Sequence, residues 1–476
     1  MQAFSKILHY FCQTLVPITR LTRVEIYEML EKVVGIPAFF PDDSQELMMN
    51  IREQRRSFIK KSSALAAGLL VAPGIIRAQE NKPKLNIGLI GLSGKGASNL
   101  AGVLSENIVA LCDVDENNAV KARSAHPKAK FFQDYRKLID LKELDAIVVS
   151  TPDHVHAVQA IAVMQSGRPV YCEKPLAHSV LEVRKMVKVA KENGLVTQMG
   201  TQIHAGSNYR RVVEIIQAGV LGEISRVQVW VNSLPNIRNL SKTPVTVPAG
   251  FDYDLWLGPV AHRPYDPAFT HFNWRYFWEF GGGVFADMAC HYMDLVHWSL
   301  DLRKPLTVEA VSKRIQAGDQ TVPDLVKADY HYPKRGDKSA VHLTWYNGVK
   351  GPGWDHVEPY HGFASGILFE GTKGQLIADY SKYKLLPEDK FKGFTAPPAT
   401  IPDSIGHHQE WVDAIKNKKV TTCNFDYSGA LAETVLLGNV SLRSGTKISW
   451  DDVKGTTGNK EADKYLFREY RKGWTL

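Results

Sequence analysis

Three sets of residues in this sequence have types and spacings suited to chemistry. The first is Gly91-Leu92-Ser93-Gly94-Lys95-Gly96, which follows an apolar segment and opens a helical one. Small residues there let backbone N–H groups approach a pyrophosphate at a helix N-terminus. The usual spacing is G-x-G-x-x-G, and Ser93 stands at the middle glycine. Asp113 closes the next apolar segment, 22 residues after Gly91, where a carboxylate binds a ribose 2′-hydroxyl and repels a 2′-phosphate. Together they predict a dinucleotide site that prefers NAD to NADP. A plain tight turn is the ordinary alternative for the glycines alone.

The second set is Glu173-Lys174-Pro175, at the end of an apolar run. If that run is a strand of a doubly wound sheet, its carboxyl end faces the ligand crevice, and a lysine there can hydrogen-bond a substrate hydroxyl. Taken alone, a Glu-Lys pair at a strand end is more often surface. The third set follows Gly281-Gly282-Gly283: Asp287, His291 and Asp294, at spacings of four and three, share one helical face. A histidine held by a carboxylate has an oriented tautomer and raised basicity, as a general base for alcohol oxidation requires. Metal ligation, with His407-His408 completing the set, is the rival reading, and a buried histidine satisfied by its own helix is the plain one.

Elements must hold these residues together. From Lys84 the chain alternates apolar runs with helical periodicity, the pattern of βαβ units around a parallel sheet. Strands are predicted at Leu85–Ile90, Ile108–Cys112, Asp145–Ser150, Pro169–Cys172 and Leu195–Met199, with helices at 155–165 and 179–192 among them. Beyond a helix near Tyr209–Gln217 the runs grow richer in β-branched and aromatic residues, at Ile224–Val231, Val308–Ile315, Val326–Tyr332, Ala340–Tyr346 and Ile367–Tyr380. These predict a large, mostly antiparallel open sheet with helices at Phe285–Trp298 and Gln409–Lys416. The expected fold is therefore α/β, a Rossmann dinucleotide-binding domain at residues 84–203 and a substrate-binding, catalytic α/β domain at residues 204–476. The C-terminal tail is expected to pack back on the first domain. An aromatic-rich segment (Tyr253, Trp256, Tyr265, Trp274, Tyr276, Trp278) could stack on a sugar ring, or simply fill a core.

The chain has 476 residues and a formal net charge of +8, too mild and too scattered to imply nucleic acid. Its five cysteines show no C-x-x-C spacing, so neither thiol nor metal chemistry is expected. Arg55-Arg56-Ser57-Phe58-Ile59-Lys60-Lys61 precedes the apolar run Ala64–Ile76, which is too short to span a membrane. Residues 48–78 read as a Tat-type signal peptide ahead of export to the periplasm or beyond. Residues 1–47 precede that signal and are read as a non-native upstream extension. No stable membrane anchor is expected.

With the glycine turn, Asp113, Glu173-Lys174-Pro175 and Gly281-Gly282-Gly283…Asp287-x-x-x-His291 in this order, the chain from Lys84 onward resembles the glucose–fructose oxidoreductase / inositol dehydrogenase / MocA family. Thr151-Pro152-Asp153-His154-Val155-His156, Gly200-Thr201-Gln202, Trp274-Arg275 and Tyr470-Arg471-Lys472-Gly473-Trp474 resemble a secreted branch of it. The resemblance implies that Lys174 contacts the reacting hydroxyl and the nicotinamide, and that His291 accepts the proton with Asp287 assisting. It also implies that Thr151, Pro152, His156, Glu173, Gln202, Trp274 and Arg275 line the dinucleotide, beside Gly91, Ser93, Gly94, Lys95, Gly96 and Asp113. His291 stands where glucose–fructose oxidoreductase has Tyr, so that enzyme's particular reaction is not carried over.

The implied activity is hydride transfer between a tightly bound NAD and a sugar, polyol or glycoside hydroxyl. One alternative is a glycosidase or lyase that works by transient oxidation, elimination and re-reduction. The other is a non-catalytic protein that keeps NAD as a structural ligand. Expected partners are a small sugar or polyol, the Tat machinery and a second copy of the chain; an open sheet offers the dimer surface.

Overall fold

A computed structural model describes residues 82–476; Cys12 and the segments expected to be an export signal and an upstream extension lie outside the described residues. Strand β1 (Asn86–Ile90) leads through the glycine turn into α1 (Lys95–Gly102), β2 (Asn107–Cys112) into α2 (Glu116–Ala125) and β3 (Lys130–Phe132) into α3 (Tyr135–Ile139). Then β4 (Ala146–Val149) leads into α4 (Asp153–Gln165), β5 (Val170–Cys172) into α5 (Val180–Glu192), and β6 (Thr197–Met199) closes the sheet. The strands run parallel in the order β3-β2-β1-β4-β5-β6. Helices cover both faces, which is why strands such as Ala146–Val149 are apolar and buried at every residue. Connections leave β1 and β4 in opposite directions, and this switch opens a crevice at their carboxyl ends.

Two helices and a strand between Asp113 and Asp145 escape sequence periodicity. Helix α2 buries only Ala119 and Ala122, so it has almost no apolar stripe to read. What starts α2 and α3 is local: the carboxylates of Asp115 and Asp134 accept from the backbone N–H groups of Asn117 and Arg136.

The second half comprises α6 (Ser207–Gln217), β7 (Ile224–Val231), α7 (Tyr253–Leu257), α8 (Gly283–Leu300), β8 (Thr307–Lys313), β9 (Leu325–Tyr332) and β10 (Val341–Asn347). It continues with β11 (Gly366–Gly371), β12 (Gly374–Ala378), β13 (Tyr383–Leu386), α9 (His407–Asn417), α10 (Phe425–Ser444), β14 (Ile448–Ser449) and α11 (Lys460–Asp463). Eight strands form one sheet in the order β13-β12-β11-β7-β10-β9-β8-β14. Every neighbouring pair is antiparallel except β7 with β10. The predicted Ile367–Tyr380 run is the β11–β12 hairpin, turned at residues 371–374. Among the described residues no helix is long and apolar enough to cross a membrane.

Helix α10, not predicted from sequence, is buried on nearly all sides between α5, α8 and β8. A helix apolar all round has no 3.6-residue stripe. Its start is set by Asn424, whose side chain accepts from the backbone of Asp426 and Tyr427. One apolar core runs from α4 and α5 through α8 and α10 to the second sheet. Helix α9 crosses back and seats Trp411 against β1 and β2. The tail also returns: Arg468 donates to the carbonyls of His154 and Glu279 (2.9 Å for the latter), and the Tyr470 hydroxyl donates to Glu182. The α8 helix thereby carries Asp287 and His291 to the carboxyl end of the first sheet.

Candidate active site

A cavity of about 580 Å³ lies over the switch point between β1 and β4. One end is built by the glycine turn. Gly91 has φ +87°, and a Cβ there would sit 2.5 Å from the Ser150 carbonyl oxygen. Gly94 has φ +53° with open space above it, so an approaching phosphate meets backbone rather than a side chain. No side chain caps α1; the Gly96 N–H donates to the Ser93 carbonyl at 2.9 Å, and the other N–H groups at this helix end face an approaching anion. Ser93 lines the same cavity, so the missing middle glycine does not close it. Gly96 is corrected to a packing role: a Cβ there would come within 2.1 Å of the Gly91 carbonyl oxygen, and it does not line the cavity.

Asp113 lines the cavity where the sequence places it. Its carboxylate accepts from the N–H of Leu92 (2.9 Å) and of Asp115 (3.0 Å), tying β2 to the glycine turn. Burial pushes its pKa up to about 6 against the pull of those two N–H groups. Asp115 and Asn118 line the same end and were not predicted. Asp115 stands two residues beyond Asp113, a signal the sequence did offer. These small residues, the free helix end and the carboxylate pair fit a dinucleotide with an unphosphorylated ribose.

The other end holds Lys174, His291, Trp274, Arg275, Gln202, Thr151 and Pro152, with Glu173 and Lys95 beside them. Lys174 Nζ donates to the Asp287 carboxylate and, at 2.8 Å, to the Asp287 carbonyl oxygen. Arg275 Nε donates to the same carboxylate at 3.1 Å. Burial raises the Asp287 pKa, but the charges of Lys174 and Arg275 outweigh it and hold the carboxyl well below the usual range. Arg275 also stacks 4.2 Å over the Trp274 ring. Glu173 accepts from Asn99 at 2.9 Å, and Lys95 lies 4.0 Å from it. Gln202, with its amide oxygen turned to the Lys95 ammonium, donates to the Gly200 carbonyl at 2.7 Å.

Four further readings from sequence change. Asp287 was expected to assist His291; it binds Lys174 and Arg275 instead, and His291 Nδ1 is buried with no hydrogen-bond partner. His291 was expected to be more basic than usual; burial, then the Lys174 ammonium, lower its pKa to about 3, so the imidazole is neutral and able to accept. Asp294 shares the helix but turns into the core, where it pairs with His204 Nδ1 at 3.0 Å and accepts from Tyr427 at 2.7 Å. His156 was placed at the cofactor; its ring lies between the carbonyls of Pro175 (2.8 Å) and Thr151 (2.7 Å) and braces the two loops from behind.

Of the aromatic segment, Trp256 and Trp274 reach the cavity, while Tyr253 and Tyr265 pack with Phe251 and Trp256 in an inward cluster. His407 and His408 are engaged elsewhere, by Met199 and Asn99. The four described cysteines are buried free thiols.

Asp153, one letter of the Thr151-to-His156 motif, has no signal in the sequence for a role of its own. It is 5% exposed yet lines the cavity. Burial pushes its pKa up to about 8, with Arg275 and Lys174 pulling the other way, so it carries a proton at neutral pH. The end near Lys174 thus offers a charged donor, a neutral acceptor and a protonated carboxyl.

Comparison with known proteins agrees with both halves. Residues 85–201 match the Gfo/Idh/MocA model described as oxidoreductase family, NAD-binding Rossmann fold, and residues 206–476 match its oxidoreductase family, C-terminal alpha/beta domain. Myo-inositol 2-dehydrogenase of Thermotoga maritima is 23% identical over 62% of this chain and 75% of that protein. A glycosyl hydrolase family 109 protein of Solibacter usitatus is 29% identical over 37% of this chain and 44% of its own length. Inositol 2-dehydrogenase of Salmonella typhimurium matches over 43% of its length at 26% identity. Among solved structures, the WlbA dehydrogenase of Bordetella pertussis, in complex with NADH and UDP-GlcNAcA, superposes with a TM-score of 0.54 at 22% identity, covering 77% of this chain and 99% of that one.

Proposed function

This chain belongs to the Gfo/Idh/MocA oxidoreductase family, and on that premise we propose that it oxidises and reduces a carbinol of a sugar or polyol with an NAD that stays bound between turnovers. NAD, when held over the glycine turn, supplies the acceptor and donor of hydride. Everything else falls to the chain. Lys174, held by Asp287, donates a hydrogen bond to the substrate hydroxyl and favours its alkoxide character. His291, kept neutral by its surroundings, takes the hydroxyl proton as the carbonyl forms and returns it on reduction. Trp274 and Arg275 wall the pocket and limit water. The inositol dehydrogenase relatives support a polyhydroxylated substrate.

The observation that carries this reading is that Lys174 and His291, from different halves of the chain, line one cavity with the glycine turn. The test is to express the chain from Met48, denature the purified protein, identify the released dinucleotide, and screen sugars and polyols for fluorescence of bound NADH. A protein that carries no dinucleotide and turns over only with added NAD overturns the resident-cofactor reading.

Asp153 favours a second reading, the redox-neutral glycosidase or lyase. Elimination from a transiently oxidised glycoside needs an acid to protonate the departing oxygen, and a protonated carboxyl on the cavity wall supplies one. Release of phenol from an aryl glycoside without net NADH supports it; oxidation with stoichiometric NADH excludes it. We further propose export through the twin arginines at Arg55-Arg56, which accounts for a cofactor loaded in the cytoplasm and kept thereafter.

A further inference from the structure

The wall of the cavity nearest Asp113 is made by two segments far apart in sequence, and they are bonded to each other. Asp252 N–H donates to the Val114 carbonyl at 2.8 Å, and Glu116 N–H donates to the Gly250 carbonyl at 2.9 Å. These form an antiparallel bridge between Asp115 and Phe251. The Asn117 amide adds a bond to the Ala249 carbonyl at 3.1 Å. A second contact closes from the next loop: His271 Nε2 lies 3.3 Å from the Asp115 carboxylate, and Asn118 Nδ2 lies 3.2 Å from His271 Nδ1. One neutral tautomer, protonated on Nε2, satisfies both.

Asp115, Asn118, Phe251 and His271 all line the cavity. The loop after β2 receives the adenosine ribose in a doubly wound fold, so that half of a bound dinucleotide lies beneath the seam. Resting on the reading that NAD is the resident cofactor, we propose that residues 249–252 and His271 clasp the adenosine half and govern its release. The cofactor leaves when the Asp115–Phe251 bridge opens, a local event opposed by two backbone hydrogen bonds, by the Asn117 and Gln133 amides bonded to the Ala249 and Gly250 carbonyls, and by the His271 contacts. The clasp is separate from the Lys174–His291 chemistry, so retention and turnover are set by different residues.

The test uses the full chain loaded with NADH and chased with excess NAD, following the loss of bound-NADH fluorescence. His271 has 47% side-chain exposure, so His271→Ala removes the contact without opening a core. The expected result is release about tenfold faster, the scale of losing two polar contacts near the surface, with an unchanged melting temperature for the NAD-free protein. Asn118→Ala is expected to move release in the same direction by less. Release at the wild-type rate from both variants overturns the clasp while leaving the resident cofactor intact. A wild-type protein that binds neither NAD nor NADH overturns the underlying reading, and the clasp with it.

Discussion

Replacing Asp287 by Asn removes the one carboxylate shared by Lys174 and Arg275 while keeping its shape. Each cation faces that carboxylate within hydrogen-bond reach, and at an effective permittivity of about 20 a pair 4 Å apart is worth roughly 4 kcal/mol before desolvation. Breaking a fully buried pair costs about 3–5 kcal/mol. Here Asp287 has 23% and Lys174 10% side-chain exposure, which places the loss toward the lower end. If about 2.7 kcal/mol of it falls on the transition state, through a lysine no longer aimed, kcat drops about a hundredfold. The pH profile must move as well. Asp287 raises the Asp153 pKa by like-charge repulsion; without it, Asp153 becomes the counter-ion for the two cations and ionises at lower pH. Single-turnover fluorescence of the bound nicotinamide, measured across the neutral and alkaline range, reads both effects. A merely structural role for Asp287 would lower the melting temperature without shifting the profile. Unchanged turnover with an unchanged profile refutes the assignment of Asp287 as the positioning residue for Lys174.

Other outcomes follow from the same geometry. His291→Ala is expected to lower turnover about 10²–10⁴-fold, the usual worth of a general base, while the dinucleotide recovered on denaturation stays at wild-type content. In Asp153→Asn, any change in activity near pH 8, where burial places this carboxyl, should vanish; a profile identical to wild type removes Asp153 from the chemistry. On acidification the protein should lose stability progressively below the ordinary histidine pKa. His154, His291, His297 and His407 have folded pKa values of about 3, and His156 and His408 of about 4, all lowered chiefly by burial. The unfolded chain takes up protons near 6.5 that the folded one refuses, so stability is present above that pH and falls as pH drops toward these values; urea midpoints across that range measure it. Arg55→Lys with Arg56→Lys should leave the protein in the cytoplasm in a fractionation assay.

The sequence alone determined the order of the parts. Alternating apolar runs specify a doubly wound sheet because buried parallel strands must be apolar throughout. Gly91 and Asp113 were legible because a phosphate approach and a ribose contact each permit few residue types at one spacing. Lys174, Asp287 and His291 were legible as an ordered set, which says that they share a site but not who touches whom. Helix spacing put Asp287, His291 and Asp294 on one face, yet the packing of α8 splits them three ways: to Lys174, to the cavity, and to His204 in the core. Only the tertiary structure decided the charge state of the site, because a pKa is set by burial and by neighbours that are distant in sequence. It turned His291 from a strengthened base into a neutral acceptor and Asp153 from an unremarked motif letter into a protonated acid. The seam between Asp115 and Phe251 was equally invisible, since hydrogen bonds between backbones carry no signature in side-chain type.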